Sequence, residues 1–263
     1  MLSRSLAAWT APILRFVGAL SFVTLAAAQS HAQQDYVGRY DIYGGFAALD
    51  APHIDLTTRG FHFQAGVNPR TWLATGFDYS VSTGHTTLTP DLLTTALRQQ
   101  LGAQILQLIQ AGIIPPTYKV YVPVDANTQT FALGPQLVYR RFRHVTFFIR
   151  PSLGAVRETA TPHPHDAVTT VIAQELVPQG KKTDWTGFYG FGGGYDLNAN
   201  GHIGLRMQTD IVYFHVFNDL LREGRWDFRW SIGPTFHFGR NVREAKDVSP
   251  APPSSPATSQ SNP

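Results

Sequence analysis

The sequence of 263 residues contains no cysteine. A disulfide framework and a thiolate metal site are therefore excluded, because both need the cysteine sulfur. Charged residues are also scarce: Asp, Glu, Lys and Arg make up 15% of the chain, against about a quarter in soluble domains. Aromatic residues reach 12%, and there are 23 glycines. This composition favours strands with large apolar side chains on one face and small ones on the other.

A strong charge of one sign is missing as well. The formal net charge is +3, and two of the cations, Arg4 and Arg15, lie in an N-terminal segment without acidic residues. The rest of the chain is therefore almost neutral. Nucleic-acid-binding domains concentrate basic residues, so the charge balance predicts no nucleic-acid partner.

The N-terminal segment, residues 1–32, predicts a cleaved secretory signal peptide. Its two arginines give a positive start, residues 16–28 form a short apolar stretch, and cleavage is favoured after Ala32 over Ala28. The alternative, a membrane anchor, needs about 20 apolar residues, which this stretch lacks. No later apolar run is long enough for a spanning helix, so a mature chain that resides in a membrane has to be a barrel.

The last patterned stretch, residues 225–239, alternates with a period of two. One face carries Trp226, Phe228, Trp230, Ile232, Pro234, Phe236 and Phe238, and the other carries Asp227, Arg229, Ser231, Gly233, Thr235 and His237. Successive side chains of a strand point to opposite faces. A soluble antiparallel sheet also produces this alternation, whereas in a bilayer the apolar face contacts lipid and the polar face lines a lumen.

Seven stretches share the pattern, and residues 39–49 predict a further strand in which small residues blur the two faces. The eight predicted strands are residues 39–49, 60–68, 71–83, 130–140, 145–156, 185–197, 202–215 and 225–239. The second, fourth and sixth connections are short, whereas the first, third, fifth and seventh are longer. Outer-membrane barrels combine short periplasmic turns with long outer loops. An even strand count also returns the chain to the periplasmic side.

The barrel domain is predicted over residues 33–240, with a long outer loop at residues 84–128. Leucines within that loop recur at helical spacing and predict an amphipathic helix over about residues 91–111. We expect this helix to pack against the barrel rim or its own loop, while contact with the outer leaflet or with a partner stays open. Residues 241–263 are rich in Pro and Ser and predict a disordered periplasmic tail.

Several segments resemble a known family in their order along the chain. They are YDIYGGF, GVNPRTWLATGFDYS, FALGPQLVYR followed by VTFFIRPSLGA, FGGGYDLN, IGLRMQTDIVY and SIGPTFHF. Over about residues 40–239, apart from the helical insertion, they are similar to the OmpA-like, opacity-type family. This resemblance implies an all-β fold, an eight-stranded antiparallel transmembrane β-barrel in the outer membrane of a Gram-negative-type bacterium.

The final strand also resembles the assembly signal of that family, which the barrel-assembly machinery reads. The matching positions are Ser231, Gly233, Phe236 and Phe238. The resemblance therefore implies two kinds of partner, outer-membrane lipid and the assembly machinery. Larger members carry a peptidoglycan-binding domain after the barrel; here only a short tail follows, so no peptidoglycan anchor is expected.

The inward faces of the predicted strands carry charges of both signs. They include Asp78, Gln136, Arg140, Arg150, Arg206, Gln208, Asp210, Asp227 and Arg229. An eight-stranded barrel is just wide enough for its own side chains to fill it, and buried charges have to be paired. We expect a salt-bridged plug, in which Asp227 and Arg229 pair with charges such as Arg206 and Asp210. A narrow ion path through the same residues is the alternative.

Candidate chemistry outside the lumen is sparse. His163, His165 and Asp166 have a spacing that suits a metal, but no fourth ligand lies nearby in sequence, so we expect neither a metal site nor a cofactor. Lipid-A-deacylating barrels use a His with a Ser two residues later. Here His215 is followed by Phe217, so that pattern fails and no catalytic residues are predicted.

Three functional hypotheses follow. The favoured one is a non-enzymatic outer-membrane barrel with a structural or surface-interaction role through its outer loops, including an extracellular ligand or partner at residues 84–128. The alternatives are a small pore for ions or solutes and a lipid-modifying barrel enzyme.

Overall fold

The computed structural model describes residues 34–243, so the predicted signal peptide and nearly all of the predicted tail lie outside the described part. Eight strands form one closed antiparallel barrel in which each strand pairs with its sequence neighbours and the last pairs with the first. They are β1 (Gly38–Ala51), β2 (Leu56–Arg70), β3 (Leu73–Leu88), β4 (Val122–Tyr139), β5 (Val145–Pro162), β6 (Lys182–Asn198), β7 (Ile203–Phe214) and β8 (Arg225–Asn241). The predicted eight-stranded antiparallel barrel is confirmed.

Two α-helices and two short 3₁₀ helices lie in the connections. They are α1 (Thr95–Gln110), α2 (Ala167–Leu176) and the 3₁₀ helices Pro52–Ile54 and Pro90–Leu92. We call the barrel end that carries these connections the loop end, and the opposite end, with three short connections, the turn end. Within the described residues, no helix is long and apolar enough to cross a membrane.

The outer surface of the barrel is a band of exposed apolar side chains. Among them are Phe61, Phe77, Leu133, Ile149, Leu153, Phe191, Leu205, Ile211, Phe228 and Phe236. The alternate positions of the same strands are buried and carry small, polar or charged side chains. This arrangement is the reverse of a water-soluble sheet, in which apolar side chains turn inward.

The barrel closes where β8 pairs with β1, in a register that runs from Tyr40↔Phe238 to Asp50↔Phe228. The two strands approach closely at glycines on both sides of this seam. A Cβ at Gly233 would overlap the backbone oxygen of Gly44, and one at Gly45 would overlap the backbone oxygen of Ile232. Only glycine fits both positions, so the sequence allows closure at this point.

Strands β3, β4 and β5 continue beyond the predicted loop boundaries. Their pairing reaches Leu88↔Val122 and Val124↔Pro162, so the outer loop predicted at residues 84–128 is shorter, at 89–121. Over this extension the alternation is inverted: Val124 and Ala126 are buried inside, while Asp125 and Asn127 face outward. Apolar outward faces therefore do not predict the full length of these strands, because in the extensions the apolar side chains point inward, as they do in a water-soluble sheet.

The predicted helix at about residues 91–111 is present as α1. The second helix, α2, lies in the connection between the predicted strands 145–156 and 185–197 and was not predicted. Its start has a clear sequence signal: the Asp166 carboxylate accepts a hydrogen bond from the Thr169 backbone N–H at 2.7 Å, and Thr169 Oγ1 reaches back to the Asp166 backbone N–H. This is a capping box in front of a run with helical spacing.

The connections at the loop end pack together as one unit. We call residues 89–121, 163–181 and 215–224 the cap. Leu93, Leu101 and Ile172 form a buried apolar cluster between the two helices. The Thr94 backbone N–H donates to the Leu220 carbonyl at 2.8 Å, which ties the start of α1 to the last connection. The leucine stripe of α1 thus packs within the cap.

Candidate functional site: the charged lumen and the cap

Arg229 lies at the centre of the lumen. Its side chain projects inward from β8, where the residue is 2% exposed. The guanidinium donates to Asp78 Oδ1 at 3.0 Å and to Asp210 Oδ2 at 2.7 Å, and Arg150 also pairs with Asp78. Two carboxylates, Asp78 and Asp210, therefore face two guanidiniums, those of Arg150 and Arg229, at the centre of the lumen. Charge-assisted bonds of this kind are the strong ones in a low-dielectric interior.

A second layer lies closer to the turn end. Arg206 binds both carboxylate oxygens of Asp196, at 2.7 and 3.0 Å, and donates to Gln64 Oε1 at 2.8 Å. Its guanidinium also lies over the rings of Tyr43 and Phe148, at 5.6 and 4.8 Å from their centroids. Bidentate pairing and stacking on both sides hold this arginine rigidly across the lumen.

A third layer lies at the loop end. Arg225 donates to Glu158 Oε2 at 2.5 Å and pairs with Asp227 at 3.2 Å. Asp227 was expected to pair with a cation deeper in the lumen, such as Arg206. It pairs with Arg225 instead, because the two residues are neighbours on the same inward face of β8.

Of the seven charged residues predicted for the lumen network, Arg140 is the one without an ion-pair partner among the described residues. It lies at the turn end, where it donates to Asn68 Oδ1 at 2.9 Å and to the Thr71 carbonyl at 3.0 Å. The other six are buried in the layers described above. Five network members were missed by the sequence reasoning: His62, Gln64, Glu158, Asp196 and Arg225. Glu158 lay within a segment read as loop, whereas His62, Gln64 and Asp196 already stood on inward faces.

One part of the network has the composition of a hydrolase triad. Ser231 Oγ lies 2.9 Å from His62 Nδ1, and His62 Nε2 lies 2.6 Å from Asp78 Oδ2. A catalytic serine needs an exposed hydroxyl and room for substrate. All three side chains are buried, and none lines either of the cavities at the two barrel ends. The arrangement therefore holds the strands together and offers no reaction site.

The remaining candidate assembly positions lie along β8 towards the turn end. Phe236 and Phe238 face outward and are exposed, and Ser231 and Gly233 face inward.

Aromatic side chains form clusters near both ends of the apolar band. Tyr189, Tyr213 and Trp226 meet near the loop end, and Phe142 links Tyr139 to Phe147 near the turn end.

The histidines outside the lumen have structural contacts. Among the described residues, no group of three or more His, Asp or Glu side chains could hold a metal ion. His163 Nε2 lies 2.9 Å from Asp125 Oδ2, and the His165 ring stacks on Tyr121 at 4.3 Å. His215 Nε2 lies 3.2 Å from the Leu221 carbonyl. The contacts of His163 and His165 join connections of the loop end to β4 or to one another, and that of His215 lies within the last connection.

The Asp166 carboxylate connects two parts of the cap through hydrogen bonds. The backbone hydrogen bond from Thr169 lowers the pKa of the Asp166 carboxyl to about 2, and bonds from the Tyr118 and Thr169 hydroxyls act in the same direction. Desolvation, together with the hydrogen bond to Asp166, raises the pKa of Tyr118 to about 12. The Tyr118 hydroxyl donates to Asp166 Oδ2 at 2.7 Å, so one carboxylate caps α2 and anchors the chain that follows α1.

The barrel ends differ in their cavities. At the turn end, a cavity of about 240 Å³ is lined by polar groups that include Arg140, Arg143 and His237. At the loop end, a cavity of about 90 Å³ is lined almost entirely by apolar side chains. The three charged layers lie between them and separate the two cavities.

Comparison with known proteins returned structural similarity only: no family model and no curated protein matches the chain. Neisserial surface protein A is 10% identical, with a TM-score of 0.47, over 76% of this chain and 96% of its own. The outer membrane protein OprG from Pseudomonas aeruginosa is 9% identical, with a TM-score of 0.45, over 79% of this chain and 99% of its own.

The attachment invasion locus protein Ail of Yersinia pestis, solved with the heparin analogue sucrose octasulfate, is a further similar structure. It is 14% identical, with a TM-score of 0.41, over 77% of this chain and 99% of its own. The strand pairing of this protein itself establishes the barrel fold.

Proposed function

We propose that this protein is a non-conducting, non-enzymatic outer-membrane barrel that presents its cap at the cell surface for contact with other molecules. The observation that carries this proposal is that the barrel combines an apolar outer band with a lumen filled by three layers of ion pairs. Lipid is the solvent that suits such a band. Ion pairs that span the lumen leave no continuous aqueous path.

The two barrel ends support one direction of insertion. Long connections face outward and short turns face the periplasm in outer-membrane barrels, so in this proposal the cap lies outside. Its surface exposes apolar side chains that the cap itself does not cover: Leu106 is 54% exposed, Ile113 65% and Val171 63%. Exposed apolar groups on a folded surface are typical of contact sites.

Conductance separates this proposal from the pore. The purified barrel, reconstituted in planar bilayers, should show no single-channel events. Reproducible channels from the wild-type barrel would reject the plug. Unchanged lipid-A mass spectra with and without expression are expected, and a modified lipid would reject the non-enzymatic assignment.

Location and surface contact need separate tests. Outer-membrane fractionation should recover the protein, and protease added to intact cells should cut within residues 89–121. Cells that express a Leu106→Glu, Ile113→Glu, Val171→Glu variant should adhere less to one another or to host cells than wild type. The matched control places the same charges on exposed glutamines, as Gln99→Glu, Gln107→Glu and Gln110→Glu. If the two variants adhere equally, the exposed apolar side chains of the cap do not contribute to adhesion.

A further inference from the structure

The apolar cavity at the loop end lies inside the barrel wall, beneath the cap. Its volume is about 90 Å³, and its apolar lining includes Leu88, Val124, Ala126, Ala160, Leu220 and Leu221. The strand residues belong to the inverted segments of β3, β4 and β5, where apolar side chains point inward. Three buried apolar clusters border this space without meeting. We refer to it as the cap cavity.

The polar groups that border the cap cavity are already paired. Glu158 bonds to Arg225 at 2.5 Å, Lys182 pairs with Asp219, and Thr86 Oγ1 donates to the Ile54 carbonyl at 2.6 Å. A buried water needs two to four polar partners, and a charged ligand needs a counter-charge. Neither is offered here, because every polar neighbour is engaged elsewhere.

From this lining we infer that the cap cavity is a binding site for a small, neutral, apolar molecule or group, of the size of a xenon atom or a short hydrocarbon. Apolar cavities that water does not fill bind such ligands; one of about 150 Å³ takes up benzene or xenon. The cap cavity is smaller, so it should prefer xenon to benzene. Arg225 and Glu158, which pair with each other, also line the cap cavity.

This site goes beyond the surface role proposed above and does not depend on it. Methyl-labelled Leu and Val in nanodisc-embedded protein, observed by NMR under increasing xenon pressure, report on it directly. The Val124 and Leu221 methyls should shift with saturation. The lipid-facing methyls of Leu153, which is 69% exposed, should shift in proportion to pressure because xenon dissolves in the bilayer. These readouts are separate from conductance and adhesion, which test the surface role.

A filling variant and an enlarging variant give opposite expectations. Ala160→Leu should lower the xenon affinity at Val124 at least tenfold, whereas Ala155→Leu, on the outward face of the same strand, should leave it unchanged. Leu220→Ala should raise the affinity and allow benzene to bind with saturation. If the Val124 methyls shift only in proportion to xenon pressure in both the wild type and Leu220→Ala, the cap cavity is not a binding site.

Discussion

Arg229 provides the strongest test of the lumen at the scale of a single residue. Replacement by Met keeps much of the volume but leaves Asp78 and Asp210 without the guanidinium that lies between them. Removal of one partner from a buried ion pair costs about 3–5 kcal/mol, because the remaining charge stays buried. We expect Arg229→Met to lower the free energy of unfolding by that amount, measured by urea titration in lipid vesicles.

The control for this measurement is Arg98→Met. Arg98 is exposed on α1 and lies outside the lumen network, so its replacement should change the free energy of unfolding by less than about 0.5 kcal/mol. If Arg229→Met costs no more than the control, the ion pairs do not stabilise the barrel.

Asp166 gives a pH prediction. Its pKa is lowered to about 2 in the folded cap, mainly by the backbone hydrogen bond from Thr169, against about 3.9 for an unperturbed Asp. A lowered folded-state pKa contributes stability that is present above the unfolded value and is lost as the pH falls through the folded one. The start of α2 should therefore loosen between about pH 4 and pH 2.

NMR can follow this loosening through the Thr169 amide, whose shift should titrate with a midpoint well below that of an unperturbed Asp. Asp166→Asn retains an acceptor for the cap bond and should abolish the titration while α2 stays folded. A Thr169 amide that titrates identically in the two proteins would show that another group is responsible.

The central charges were accessible to sequence reasoning because strand alternation alone assigns them to the interior. Asp78, Arg150 and Arg229 follow from period and facing. Their partners do not: alternation gives the face of a side chain but not its height in the barrel, which depends on the register between strands. For this reason Asp227 was expected to pair deeper in the lumen, and Asp196 was not recognised as the partner of Arg206.

At the scale of the elements, the pairing of β8 with β1 can be tested because it closes the barrel. A Cβ at Gly233 would overlap the backbone of β1, and the barrel wall offers no room for relaxation there. Gly233→Val is therefore expected to prevent closure. The heat-modifiable shift on gels that marks a folded barrel should disappear, and the variant should accumulate as a protease-sensitive species.

Gly187 in β6 supplies the matched control. A Cβ at this position would have Gly154 O, at 3.8 Å, as its nearest neighbour, so Gly187→Val should retain the heat-modifiable form. A closed, heat-modifiable Gly233→Val protein would mean that the approach of the two strands is not restrictive.

The elements also show where the sequence argument loses information. All eight strands were predicted, and the lipid-facing alternation is strong over seven of them; in β1, small residues blur the two faces. The extensions of β3, β4 and β5 were not, since the alternation of Val124 and Ala126 with Asp125 and Asn127 has the opposite sense. Asp166 and Thr169 form a capping signal that the sequence contains. Asp166 was considered above only as a candidate metal ligand and not as the start of a helix.

At the scale of the whole molecule, we expect the inverted segments to lie outside the membrane. Thr183 faces outward beside Thr159, with their hydroxyls 2.9 Å apart, above the apolar band in which Leu153 lies. The chain has no cysteine, so single cysteines are unambiguous probes. In nanodiscs, Thr183→Cys should react rapidly with a membrane-impermeant maleimide, and Leu153→Cys should react at least tenfold more slowly.

Both variants should react at similar rates in the denatured state, which controls for intrinsic thiol reactivity. Equal protection of the two positions in nanodiscs would place the upper strands within the bilayer. The barrel would then have one continuous lipid-facing wall in place of two parts with different surroundings.

The seam between β1 and β8 also affects how the molecule forms. It joins groups 203 residues apart, as in the bond from the Tyr36 hydroxyl to the Gly239 carbonyl. Such distant pairing is entropically unfavourable and slow. Until β8 arrives, β1 presents an unpaired edge, which readily captures other chains. The lifetime of this open intermediate, more than the stability of the finished barrel, should therefore determine the yield of folded protein.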